Sequence, residues 1–238
     1  MTEQRGNEKL NPTGISPRSA EDFTIRVDGA RPLTAATVAG LTALADRVED
    51  SGAPQVAVLH VTGAPEDSWT REVSLPLVNK WERALRRLER LDAATVAVAT
   101  GDCGGVAFEA LLATDYRIAA AGARLTVPSD VNGVWPGMAV YRLANQIGIG
   151  PTRRTVLFGL PLPASEALGL HLVDEVADDT EAALAKTVAL LGSRAGQGLG
   201  VRRQLMLDAT TTRFEDALGS HLAACDRVLR RVPAEVAP

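Results

Sequence analysis

One carboxylate in this 238-residue chain stands where a solvated acid is not expected. Glu109 lies in GGVAFEALL, just after the strand-like TVAVAT and the glycine turn Gly101 to Gly105. Its neighbours Val106, Phe108, Ala110, Leu111 and Leu112 are apolar, and burying a carboxylate among them without purpose is costly. The turn supplies a purpose. Amides in the first turn of a helix lack intrahelical partners and sit at the positive end of the aligned peptide dipoles. Small residues at Gly104, Gly105, Val106 and Ala107 let a substrate carbonyl approach those amides, and a carboxylate one turn further on can reach the adjacent carbon. The combination reads as an oxyanion hole with an acid–base beside it. Close packing of helix on sheet, with Glu109 on the outer face, is the alternative reading.

Other chemistries lack their spacings. There is no C-x-x-C or H-E-x-x-H, and His60, His171 and His221 are scattered, so no metal is expected. No glycine is followed by lysine as a phosphate loop requires, and neither G-x-G-x-x-G after a strand nor G-x-S-x-G occurs. The net charge of -4 comes from mixed signs along the chain, with no basic stripe for nucleic acid. Of 25 basic residues only Lys9, Lys80 and Lys186 are lysine, a bias read first as genomic base composition. Cys103 and Cys225 are expected as free thiols in a reducing compartment. No apolar run reaches the ~20 residues that span a bilayer, and the start lacks a signal segment. A soluble, cytoplasmic protein without membrane contact is expected.

The elements that must position Glu109 alternate strand and helix. FTIRVDG reads as a strand with Phe23, Ile25 and Val27 inward; a helix carrying Leu33, Val38, Leu41, Leu44 and Val48 follows, with Thr34 as N-cap. QVAVLHV, 55–61, reads as a strand buried on both faces. The Trp-containing loop TGAPEDSWTREV leads to an amphipathic helix over about 74–91, whose charged side reads as solvated. TVAVAT, 95–100, enters the glycine turn, and YRIAA, 116–120, takes the chain back. A short strand ARLTVP, the loop SDVNGVWPGM, three helical pieces and a strand at LVDEV come next. Helical periodicity over 180–194 and about 198–231 closes the chain, broken by GSRAGQGLG. The expected organisation is a disordered lead at 1–22, a core at 23–178 and a C-terminal helical region at 179–238.

Several blocks in this order resemble the crotonase superfamily, the enoyl-CoA hydratases and isomerases. A strand enters a glycine turn, Glu109 follows in the helix, and Asp115 closes that helix before Ile118 to Ala120; PGM at 136–138 and LFGLPLPASEALGLHLVDEV come later. The resemblance implies an α/β crotonase-like spiral of ββα units with a C-terminal helical region for oligomerisation or as a lid. It implies an acyl-CoA substrate handled by a hydro-lyase, coenzyme A being part of the substrate and no separate cofactor being needed. A homotrimer or hexamer is implied as well.

Carried over by position, the resemblance makes Val106 N–H an oxyanion donor flanked by Gly105, Glu109 the first catalytic glutamate and Gly137 the glycine that helps hold the reacting water. The second catalytic glutamate falls on Ser129, after Pro128, so one carboxylate is missing; Asp130 next door is its possible substitute. The other oxyanion donor falls near Glu72, with Trp69 and Trp135 as candidate acyl contacts. The coenzyme is expected around Arg26 to Arg31 and after His60. A single-glutamate site suits thioesters whose α protons are already acidic, such as β-keto and polyketide thioesters. The sequence also resembles the hydratase-like accessory proteins that help a type III polyketide synthase form dihydroxyphenylacetyl-CoA, which implies dehydration or aromatisation. Two alternatives stand beside this: a noncatalytic partner of the synthase, and an ordinary enoyl-CoA hydratase or isomerase.

Overall fold

The computed structural model describes residues 23–52, 56–66 and 69–230. The N-terminal lead at 1–22 lies outside them. The first strand, β1 (Thr24–Asp28), runs into helix α1 (Ala35–Asp50), whose N-cap Thr34 accepts from the amide of Thr37 at 3.2 Å. Strand β2 (Val56–Gly63) follows, then a short 3-10 turn at Trp69–Glu72, helix α2 (Leu75–Leu88), strand β3 (Ala94–Cys103), helix α3 (Gly105–Leu112) and strand β4 (Tyr116–Ala120). These strands are parallel in the order β1-β2-β3-β4, and β9 (Glu175–Ala177) adds parallel to β4. Parallel strands covered by crossover helices are buried on both faces. The continuous apolar runs answer to that: Ala57, Val58, Leu59 and Val61 of β2 and Val96 to Ala99 of β3 are all buried.

Short pairings finish the sheet's rim. β5 (Arg124–Leu125) pairs with the end of β3 and with β8 (Leu162–Pro163), while β6 (Ser129–Asp130) and β7 (Gly133–Val134) form a separate hairpin. Helices α4 (Met138–Ile147), α5 (Ile149–Phe158) and α6 (Ala164–Gly169) lie between that hairpin and β9. The C-terminal region is α7 (Thr180–Arg194), α8 (Leu199–Asp208) and α9 (Phe214–Leu229).

Two expectations are corrected. The periodic stretch over 198–231 is two helices, because 209–213 leaves the helical path at a run of threonines, and β-branched residues are poor helix formers. The charged side of α2 is not simply solvated. Glu82 and Glu89 turn toward Arg142 of α4, both pairs at 2.8 Å, and Arg142 is buried.

Arg203 anchors α8 to the core. Its guanidinium donates to the carbonyls of Glu89, Leu91 and Ala93 and to both carboxylate oxygens of Asp115. Asp115 in turn accepts from the amide and hydroxyl of Thr95. A charge buried this deeply is tolerated because every donor finds an acceptor.

Candidate active site

The carboxyl ends of β1, β2 and β3 meet beside the start of α3, and three glycine backbones are drawn together there. Gly29 N–H donates to Thr62 O at 2.7 Å and Gly104 N–H to Gly63 O at 2.8 Å. A Cβ on Gly29 would stand 2.1 Å from the carbonyl oxygen of Gly104, so no other residue fits. In open parallel sheets ligands bind at this edge. Beyond the turn, Gly104 O accepts the amides of Ala107 and Phe108. Among the described residues no backbone carbonyl accepts a hydrogen bond from the N–H of Gly105 or of Val106. These amides are therefore available to an external oxygen that gains charge.

Glu109 stands one turn further along α3. All eight residues of this helix are buried, and Glu109 itself is 6% exposed. Its Oε2 accepts from the indole N–H of Trp81 at 2.7 Å. Its Oε1 lies 3.3 Å from the point where a Cβ on Gly137 would stand. Burial first, and then the negative charge of Glu82, push the carboxyl from 4.5 up to about 7, against the opposing pull of the Trp81 N–H and Arg142. A carboxyl so placed exists in both protonation states near neutral pH, as an acid–base needs.

The remaining candidates gather on the other side of Gly137. A Cβ there would come 2.6 Å from the Trp135 ring, which packs edge-on against Trp69 with ring centroids 5.5 Å apart. Trp69 donates its indole N–H to Ser129 O at 2.7 Å, and Thr70 donates to Asp130 Oδ2 at 2.9 Å. The 3-10 turn ending at Glu72 thus clasps the β6–β7 hairpin, bringing Trp69 to Ser129 and Trp135, whose ring borders Gly137.

Asp130 is spent on this clasp. Its second oxygen accepts from Asn132 N–H, and that bond, followed by the one from Thr70, holds the carboxyl below the usual carboxylate range. Two donors on the ionised form make a poor proton acceptor.

The segment expected to meet the coenzyme borders the same edge. Asp28 accepts from Ala30 N–H and pairs with Arg31, both exposed, while Arg26 points to solvent from β1. Half-buried His60 is held toward its neutral form by burial and by Arg26. Cys103 is buried and its thiol pushed up to about 12 by burial, which leaves it inert; Cys225 is exposed.

Sequence reasoning passed over Trp81, Glu82, Glu89 and Arg142. Trp81 falls on the same stripe as Ala84, Leu85 and Leu88 and reads as core. The available signal was the indole itself, since a buried Trp N–H needs an acceptor. A separate groove of 1390 Å³ runs between α2, α4 and α8, walled by Val78, Glu82, Met138, Arg142 and Met206 among others. Glu109 and the amides of Gly105 and Val106 do not line it.

The parallel sheet with its crossover helices is a fold of the crotonase kind, and sequence comparison agrees. The enoyl-CoA hydratase/isomerase family matches residues 34–235, and the chain belongs to that family. It is 48% identical over 210 residues to an enoyl-CoA-hydratase of Amycolatopsis orientalis, covering 88% of this chain and 97% of that one. A short-chain-enoyl-CoA hydratase of Clostridium acetobutylicum is 31% identical over 100 residues, 42% of this chain and 38% of its own length. Among solved structures, an enoyl-CoA hydratase/isomerase from Marinobacter aquaeolei superposes with a TM-score of 0.72 at 19% identity, covering 87% of each chain. Pseudomonas aeruginosa AtuE gives 0.72 at 22%, over 87% of this chain and 88% of its own. At such identities the likeness speaks for the fold. The chain is an enoyl-CoA hydratase-like enzyme of the lyase class.

Proposed function

We propose that this enzyme removes water from an acyl-CoA thioester, with Glu109 as its acid–base, and that the acyl group is a polyketide on its way to dihydroxyphenylacetyl-CoA. The observation that carries the reading is the solitary carboxyl. Glu109 is buried one turn beyond the unpartnered Val106 amide, while the second acid position holds Ser129 and the nearby Asp130 is engaged by Thr70 and Asn132.

In the proposed step the thioester oxygen accepts from Val106 N–H, with a second amide near Glu72. The α proton passes to the Glu109 carboxylate, and the electron pair of the C–H bond is held as an enolate. That pair then forms the carbon–carbon double bond as the β C–O bond breaks. Hydroxide leaves with the proton from Glu109 as water, and the carboxylate is regenerated. Amides aimed at developing charge supply a large share of such catalysis. Trp69 and Trp135 offer flat apolar faces for a ring-forming acyl chain.

A type III polyketide synthase is the proposed partner, and a homotrimer or hexamer the proposed assembly. Support for assembly comes from α9, which buries none of its residues and exposes Phe214, Leu218, Leu222, Val228 and Leu229. Large exposed apolar patches mark interfaces.

The test is a reconstituted reaction with the synthase, read as aromatic product. Glu109→Gln is expected to abolish the gain that the wild-type chain brings. Full product with Glu109→Gln would instead favour the noncatalytic partner. Rapid hydration of crotonyl-CoA that disappears in Asp130→Asn would favour the ordinary hydratase.

A further inference from the structure

Glu109 has two oxygens, and the structure treats them differently. Oε2 is held by Trp81 N–H at 2.7 Å; Oε1 is turned toward Gly137, 3.3 Å from where a Cβ would stand. The indole that makes the first contact has almost no freedom. Trp81 is 1% exposed and packed in the stripe that α2 turns to the core.

The two helices that bracket the carboxyl are tied together next to it. Trp81 and Glu82 are adjacent on α2, while Gly137 is the N-cap of α4 and Arg142 lies on α4's next turn. Arg142 bridges Glu82 and Glu89 at 2.8 Å each, and Arg86 closes on Glu89 at 3.0 Å. This clamp fixes the spacing between the donor on one helix and the glycine on the other. It also places the charges that Glu109 feels from its neighbours: Glu82 and Arg142 act on it from α2 and α4 with opposite signs.

We propose that Trp81 is the positioning residue of this site, its indole N–H removing Oε2 of Glu109 from the reaction so that Oε1, beside Gly137, is the oxygen that exchanges the substrate proton. The inference rests on the reading of Glu109 as acid–base. Without the indole donor the carboxyl is free to turn about its last bond, a torsion with broad minima. A reacting oxygen displaced by about 1 Å can cost on the order of 100-fold in rate.

Trp81→Phe keeps the ring and deletes the N–H. The expected outcome is a fall in kcat of at least roughly tenfold, with KM changed less than about twofold, the range found when groups that orient a reactive centre are removed. Loss of a donor to the ionised form is also expected to raise the midpoint of the Glu109 carbonyl band in an infrared titration, the band being identified by its disappearance in Glu109→Gln. In the double variant Trp81→Phe adds nothing to the loss already caused by Glu109→Gln. A purely structural role for Trp81 would lower stability while leaving the carboxyl midpoint in place. If Trp81→Phe fails to fold, benzothienylalanine at position 81 keeps the bicyclic shape and still lacks the donor. Unchanged kcat and midpoint in a folded variant, with Glu109→Gln inactive, overturn the positioning role alone. An active Glu109→Gln overturns the acid–base reading and the positioning role with it.

Discussion

Replacing Glu109 with Gln tests the burial of the carboxyl through folding stability, independently of any substrate. In the folded chain the group titrates at about 7, against 4.5 ordinarily. At about 1.4 kcal/mol for each pH unit, the difference amounts to about 3 kcal/mol. The sign follows from proton binding. Between pH 4.5 and about 7 the unfolded chain has released this proton and the folded chain retains it, so stability falls as pH rises through that window. Below the window Glu109 costs nothing on this account; above it the whole penalty is present. Gln carries no ionisable proton, keeps an oxygen that can accept from Trp81 and lacks the slope. Urea unfolding of both proteins, followed by tryptophan fluorescence, is expected to show Glu109→Gln gaining about 3 kcal/mol relative to wild type between acidic and mildly basic pH. A stability difference that stays flat across the window would refute the reasoning, since Glu109 would then titrate alike in both states.

Three further outcomes can be checked directly. Val106→Pro deletes one amide at a first-turn position and also a buried side chain, so a lower melting temperature is expected; in the folded variant a kcat loss of roughly 100- to 1,000-fold is expected, and retained activity would remove Val106 from the oxyanion site. Gly137→Ala would place a Cβ 2.6 Å from the Trp135 ring and 3.3 Å from Glu109 Oε1. Activity is expected to drop on the order of 100-fold through displacement of the indole, visible also as a change in near-UV circular dichroism. Arg203→Ala leaves Asp115 with Thr95 but without its guanidinium, and removes a donor from three carbonyls. The expected cost is about 3–5 kcal/mol, measured by chemical denaturation, with α8 the first segment to exchange its amides.

The main elements and the glycine turn were legible because they depend on short-range pattern. The apolar run at 55–61 reads as a strand buried on both faces and TVAVAT at 95–100 as the next strand; among the described residues they are the central strands β2 and β3. The N-cap Thr34 follows from the same local logic. Glu109 could be singled out because a charge in an apolar helix breaks the pattern. Sequence also shows a serine at position 129, the place where the family resemblance implies an acid.

Only the tertiary structure decided which groups Glu109 meets. Trp81 is 28 residues away in the chain and its N–H finds the carboxyl only because α2 packs beside α3. Glu82 and Glu89 looked like part of a solvated face until Arg142, more than fifty residues later, came to lie between them. Asp130 looked available as a second acid, yet Thr70, sixty residues earlier, holds one of its oxygens. Hydrophobic periodicity encodes which side of an element is buried. It carries no record of the polar partner waiting there, because hydrogen bonds and ion pairs between distant elements form only once the core has brought them within about 3 Å.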